Sequence, residues 1–374
     1  MSTQSVHVER EPLIRMVKRD GISTKKAWLI RGIALGGALI VCALLIFMLT
    51  KLNPLKVYTS MFEGALGTKR RTWVTLRDTM MLLCISIGLA PAFKMRFWNI
   101  GAEGQVLIGG VATAACMIYL GGKVPTAVLF LAMVVASVAA GAVWGLIPAI
   151  FKAKWNTNET LFTLMMNYVA IQITSYCVAL WENPYGSNSV GVIHPTTEWG
   201  WFPKLFGQQY MLNVIIVMAL TVAMYIYLKY TKHGYEISVV GESENTARYA
   251  GISVKKVILR TMVISSGICG LSGFIAVSGA SHTISVNTAD GRGFTAIIVA
   301  WLSKFNAVVM VLFSFLLVFL DKGAVEIASK YQLNEYASEI IESIILFFIL
   351  GSEFFINYRL IFRRAGKKAE KEVA

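Results

Sequence analysis

The sequence predicts an all-α polytopic membrane protein with about ten transmembrane helices, some broken at mid-membrane, and with both termini in the cytoplasm. Three observations carry that expectation. The 374 residues are 56% hydrophobic and only 15% charged, with a mean hydropathy of +0.62, whereas ordinary soluble domains carry about 25% charged residues. The apolar residues come in long runs, and a helix that crosses a bilayer needs about 20 of them. Both ends of the chain are basic, as cytoplasmic segments of membrane proteins tend to be. These features exclude a soluble enzyme, a disordered chain and a disulfide-stapled secreted module.

Residues 1–28 form a basic cytoplasmic segment that includes Arg10, Arg15, Lys18, Arg19, Lys25 and Lys26. Within it, Val8–Arg19 reads equally as an interfacial helix on an anionic leaflet and as a disordered tail. The first span runs from Leu29 to Leu49, with Arg31 placed where it can snorkel. The long basic stretch before it, and the lack of a small-residue cleavage site after it, mark a retained anchor rather than a signal peptide. Further apolar runs cover Leu76–Phe93, Gln105–Leu120, Thr126–Ile150, Thr160–Trp181, Leu212–Tyr230, Val257–Ala280, Val308–Val325 and Ala337–Phe355. Phe294–Leu302 is too short to cross alone, and the adjacent Gly291 and Gly293 point to a broken helix. The transmembrane domain is thus expected over 29–356. A basic, frayed cytoplasmic tail follows over 357–374, with Arg363–Ala374 the most highly charged part.

Two cytoplasmic ends require an even number of crossings, and ten satisfies this. Lys94 with Arg96, Lys152 with Lys154, and the segment Lys229–Arg260 then lie inside, and Asn183–Met211 lies outside. The stretch Lys51 to Arg77, with six basic residues, falls outside against the charge rule. The orientation is kept because the amino end usually dominates it. A net charge of +14, from 35 Lys and Arg against 21 Asp and Glu, fits basic cytoplasmic loops better than a nucleic-acid surface. The five cysteines sit in apolar runs without a C-x-x-C pair, and the four histidines are scattered without H-E-x-x-H. They suggest small buried hydrophobes and no metal chemistry.

Polar groups within a bilayer need a reason to be there, and three segments supply candidates. In Phe97–Gln105, FWNIGAEGQ, the side chains of Asn99, Glu103 and Gln105 flank two glycines. The segment either lines a path at membrane depth, or is a surface loop whose Glu103 caps the following helix. In Trp155–Tyr168, Thr160, Thr163 and Asn167 share a helix face that can meet either a solute or a neighbouring helix. In Gly241–Ile252, Ser243 is an N-cap, Glu244 stands near the positive end and Gly251 ends the helix. A short helix about 243–252 either docks on a cytoplasmic partner or merely connects two spans.

Together with Gly291–Ile297, GRGFTAI, these segments resemble the permease subunits of bacterial ABC importers for simple sugars and nucleosides. Such importers are served by basic-membrane-protein-type binding lipoproteins and belong to a ribose-permease-like superfamily. The runs F-x-N-I-G-A-E-G-Q, N-E-x-x-x-T-L-M-x-N-Y and G-E-x-x-x-x-A-R-Y-A-G-I occur in order, and the likeness spans Leu29 to Tyr358. It implies a permease domain that pairs with a second, paralogous permease as a heterodimer over cytoplasmic ATPase subunits in the bacterial cytoplasmic membrane. An extracellular substrate-binding lipoprotein would deliver the solute. The resemblance places Asn99, Glu103, Gln105, Glu159, Thr163, Asn167 and Phe294 on the substrate path. It places Ser243, Glu244, Ala247, Arg248, Tyr249 and Gly251 on the helix coupled to the ATPase.

The resemblance implies no cofactor and no catalysis in this chain, with ATP bound by the partner. In agreement, no G-x-x-x-x-G-K-[ST] loop occurs, and Leu271-Ser272-Gly273 echoes an ATPase signature only within an apolar run. Two departures stand out. Ser303–Ala307 reads SKFNA where relatives carry G-R-N-N-P, and Asp321-Lys322 is unusually charged for its place. Uncharged groups such as Asn99, Gln105 and Asn167 suit ribose hydroxyls and base edges, and no cluster of buried acids and bases is visible. A secondary transporter using Glu103 and Glu159, or a membrane enzyme acting on lipids, are the competing classes.

Overall fold

The computed structural model describes residues 14–19, 21–51, 53–332 and 335–362. In chain order it contains β1 (Ile14–Lys18), α1 (Thr24–Thr50), α2 (Pro54–Leu66), α3 (Lys69–Lys94), α4 (Ala102–Leu120), α5 (Thr126–Trp155), α6 (Glu159–Leu180) and α7 (Met211–Tyr230). There follow α8 (Lys232–Glu242), α9 (Glu244–Tyr249), α10 (Val254–Ala276), a π-turn (Val277–Ser281), α11 (Arg292–Leu302), α12 (Ala307–Lys330), α13 (Glu335–Asn357) and β2 (Tyr358–Phe362). Among the described residues, eight helices are long and apolar enough to cross a membrane: α1, α3 to α7, α10 with its π-turn, and α12. Two shorter apolar helical stretches, Arg292–Leu302 and Ser343–Asn357, complete the set of ten expected segments.

The chain divides into two compact units, one built from Met1–Met61 with Ala324–Ala374 and the other from Phe62–Gly323. In the first, α1 packs on α13. The buried residues Ala38, Cys42 and Ile46 on one helix, and Ile341, Ile345 and Ile349 on the other, recur at four-residue steps. That spacing gives each helix one continuous apolar ridge. Arg31, expected to snorkel, instead forms an ion pair with Glu353.

The amino-terminal segment is neither a helix nor a tail over its described part. β1 pairs antiparallel with β2, in register from Ile14 opposite Phe362 to Lys18 opposite Tyr358. The sequence missed this because each segment finds backbone partners only in the other, which lies at the opposite end of the chain. Val8–Leu13 and the tail Arg363–Ala374 lie outside the described residues.

The second unit is organised around α10, which packs against α3, α4 and α5. Small residues permit this approach. A Cβ on Gly273 would stand 2.2 Å from the Val106 carbonyl oxygen, and one on Gly270 would stand 2.3 Å from that of Ser137. Such backbone-to-backbone contact is how helices gain dispersion energy where lipid offers no hydrophobic driving force. A long loop between α6 and α7 lies over the end of α10: Phe202 N donates to Ser278 O at 3.1 Å and Ile193 N to His282 O at 2.9 Å. Trp201 stacks on His282 at 3.8 Å between ring centroids.

The basic stretch Lys51 to Arg77 is largely helical, forming α2 and the first turns of α3. Val57, Met61 and Ala65 are buried at four-residue spacing, an amphipathic stripe that the surrounding lysines and arginines hide from a hydropathy reading.

Candidate functional site

The turn between α3 and α4 is built from hydrogen bonds rather than apolar packing. Asn99 is fully buried. Its Oδ1 accepts from Gly101 N and from Gln105 Nε2, both at 3.1 Å, and its Nδ2 donates to Gln105 Oε1 at 3.3 Å. The face of α6 that carries Thr163 and Asn167 closes on this turn. Thr163 Oγ1 accepts from Ile100 N at 3.1 Å, Asn167 Oδ1 accepts from Gly104 N at 2.9 Å, and Asn167 Nδ2 donates to Ile100 O at 2.9 Å. Thr160, one turn earlier, is half-buried. Gly104 is required here, since a Cβ would come within 2.9 Å of Asn167 Oδ1. These contacts satisfy the non-helical backbone of the turn, which the membrane interior would otherwise leave without partners. Glu159, at the start of α6, pairs with Lys152 at 2.9 Å and lies outside this network.

Glu103 joins the turn to the broken helix. Its two carboxylate oxygens accept from Gly291 N at 2.9 Å and from Gly293 N at 2.8 Å, so a full negative charge meets the exposed N–H groups and positive dipole end of α11. With eleven residues, α11 spans roughly 16 Å at 1.5 Å per residue, about half of a bilayer core of about 30 Å. Gly291, at φ +68°, turns the chain into the helix. Gly293 has no room for a side chain, because its Cβ would lie 2.5 Å from Glu103 N. Phe294, the next residue, is exposed. At the far end of α11, Trp301 stacks on Trp98 with centroids 5.3 Å apart. The half-helix is thus tied at both ends to the segment around Asn99.

One cluster overturns a sequence expectation. Buried acids and bases do gather, around Asp78 on α3, whose side chain is only 2% exposed. Arg77 lies 2.8 Å from Asp78 Oδ1, Lys322 lies 2.9 Å from Oδ2, and Arg292 approaches Oδ1 at 3.8 Å. The unusual pair Asp321-Lys322 turns its lysine to this carboxylate and keeps a contact of 3.3 Å between its own members. The partners come from α3, α11 and α12, so no local motif announces the cluster. The signal that was available was a lysine in an otherwise apolar helix, which requires a counter-ion.

The short connecting helix expected about 243–252 is α9, preceded by the separate helix α8. Ser243 accepts from Thr246 N at 3.3 Å as the N-cap, Glu244 pairs with Arg248 at 3.3 Å, and Gly251 reverses the chain at φ +76°. Ala247 is fully buried, whereas Tyr249 is 94% exposed. α9 therefore seats one face on its own chain and presents the other.

Membrane-crossing helices packed with a half-helix that a buried acid caps define a polytopic membrane protein with a polar interior. Residues 73–350 match the family described as "Branched-chain amino acid transport system / permease component", and the chain belongs to that family. It is the permease component of an ABC importer. It is 29% identical to a glucose ABC transporter permease protein of Haloferax volcanii, covering 94% of this chain and 95% of that one. A guanosine ABC transporter permease protein of Bacillus subtilis is also 29% identical, over 82% of this chain and 89% of its own. A nucleoside ABC transporter permease protein of Lactococcus lactis is 27% identical, over 85% and 89%.

Proposed function

We propose that this chain forms half of the translocation path for a nucleoside or related simple sugar, opposite a paralogous permease subunit. The observation that carries the reading is the capped half-helix: Glu103 fixes the start of α11 beside the Asn99 turn. Such an element lets a non-helical segment line a path at membrane depth without exposing unpaired backbone to lipid. Relatives named for glucose, guanosine and nucleosides favour a neutral, hydroxylated solute. One bacterium holds two guanosine permease proteins that both resemble this chain, at 29% and 26% identity, which favours a heterodimer.

In this reading Phe294 faces the path, while Asn99, Glu103, Gln105, Thr163 and Asn167 hold its wall in shape, and Glu159 with Lys152 fixes the end of α6 from which that wall extends. Both termini are cytoplasmic. A cytoplasmic ATPase pushes on α9 through Glu244, Arg248 and Tyr249, with Ser243, Ala247 and Gly251 shaping the helix, and the spans tilt to alternate access. An extracellular binding lipoprotein supplies the solute. This chain binds no cofactor, and ATP stays with the partner.

The test is uptake of labelled adenosine and glucose into vesicles carrying the full complex. Uptake of one of them that requires both ATP and the ATPase subunit is expected. Uptake by this permease without an ATPase would assign it to ion-coupled transport instead.

A further inference from the structure

Beside the start of α11 lies a cavity of about 220 Å³, walled by Arg77 and Asp78 of α3, the end of α10 with its π-turn, and the loop that carries Asn287, Asp290 and Arg292. At about 30 Å³ per water this space holds roughly seven waters, the scale of one sugar ring rather than of a base and sugar together. We propose that this cavity is a binding site for the vicinal diol of the carried solute, with Asp290 and Arg292 as its hydrogen-bonding pair and Asp78 as the residue that positions the guanidinium groups. The proposal rests on the transport reading above and names which part of the solute this chain recognises.

Charge is the first argument. Arg77 and Arg292 line it with Asp78 and Asp290, and Lys322 with Asp321 adds one more charge of each sign behind Asp78, so the formal charges cancel and an ionic solute would gain nothing to offset its desolvation. The second is which hydrogen-bonding groups remain free. Both Asp78 oxygens are already engaged, one by Arg77 and the other by Lys322. Those two cations more than balance its single charge, which leaves Arg292 at the longer distance of 3.8 Å and able to serve the cavity. The contact of Arg292 Nη1 is the Met81 sulfur at 4.0 Å, a weak acceptor, so strong donor capacity is unused.

Asp290 supplies the complementary acceptor. Its carboxylate is 67% exposed and stands 3.3 Å from Arg292. A carboxylate beside a guanidinium offers what two adjacent hydroxyls need: two acceptor oxygens for their protons, and donors for their lone pairs. The backbone supports the placement. Asp290 sits at φ +55°, and the preceding π-turn sets Ser281 in the same wall. Such π-turns recur at functional sites.

The test uses the complete transporter in nanodiscs, with adenosine and its 2′,3′-dideoxy analogue, which lacks the vicinal hydroxyl pair, as probes for equilibrium dialysis. Uptake is measured on the same complex reconstituted into sealed liposomes. Adenosine is expected to bind at least about tenfold more tightly than the analogue. D290N keeps the side chain's shape and tolerates the left-handed backbone. It is expected to erase that preference by weakening adenosine about tenfold while leaving the analogue unchanged. Equal binding of both probes to the unaltered complex, or a D290N effect equal on both, overturns the site while ATP-driven uptake leaves the transport reading standing. A complex that takes up neither nucleoside nor sugar removes the transport reading and this site with it.

Discussion

Glu103 carries the most demanding job of any single residue in the chain. Each of its oxygens holds one backbone N–H of the α11 start, and a charged acceptor makes such bonds worth about 1.5–3 kcal/mol. Glu103→Gln retains one acceptor oxygen and turns an NH₂ towards the other N–H. The expected outcome is a melting temperature lowered by several degrees in detergent, the response to a loss of about 1–3 kcal/mol for an unsatisfied buried group, with uptake reduced about tenfold or more. Wild-type melting and uptake together would show that α11 does not depend on this cap.

His282 makes a separate prediction. It is buried under Trp201, and neither ring nitrogen has a partner among the described residues. Burial lowers its pKa, opposed by the charge of Glu198 and helped by that of Arg77. An unfolded histidine titrates near 6.5, so the unfolded chain takes up the proton first as pH falls. Stability from this site is therefore complete above about pH 6.5 and drains away below it. Melting curves from pH 8 down to pH 5 are expected to show that acid-side loss, and His282→Phe, which keeps a ring over Trp201, to flatten it.

At the scale of elements, the packing of α10 is set by the absence of side chains. A methyl group on Gly273 would lie 2.2 Å from one backbone oxygen, a clash that only a shift of α4 away from α10 could relieve. Gly273→Val is expected to leave no folded protein in the membrane fraction. Gly251→Ala has open space around it and only the φ +76° strain to bear, so it is expected to cost about 1–2 kcal/mol and remain assembled. Size-exclusion chromatography of the two variants checks the contrast.

The ten apolar segments were legible in the sequence because hydropathy is additive along the chain, and α9 because Ser243 and Gly251 punctuate it locally. Three features were not legible. α2 is amphipathic within a basic stretch, β1 and β2 pair across the whole length of the chain, and Asp78 draws its counter-ions from three helices. The last two depend on partners distant in sequence, whereas the stripe of α2 is local but masked by the charges around it. The turn at Asn99 falls between these cases. Its polar residues were visible, yet that Thr163 and Asn167 are the groups that hold it required the fold.

For the molecule as a machine, the coupling proposed above turns on how work done on α9 would reach the spans. Ala247 is fully buried and its carbonyl accepts from Ile252 N at 2.9 Å in the turn that leads into α10, whose glycine-lined face meets α3, α4 and α5. On the proposed coupling, force applied to the exposed side of α9 would pass into α10 and the helices packed against it. Tyr249, 94% exposed, projects from the face of α9 that its own chain leaves uncovered. Removing it leaves the fold's contacts intact and acts only on what lies outside. Tyr249→Ala is expected to keep the melting temperature within about 1 °C, since exposed substitutions change stability by only about 0.5 kcal/mol or less. Uptake is expected to fall at least about fivefold, while the complex continues to hydrolyse ATP; a loss of about 1 kcal/mol in a coupled interface suffices for that. Ala247→Trp is expected to do the reverse in part, lowering the melting temperature first and uptake as a consequence. If Tyr249→Ala transports normally while Ala247→Trp fails only by unfolding, α9 is a connector and the force must enter elsewhere.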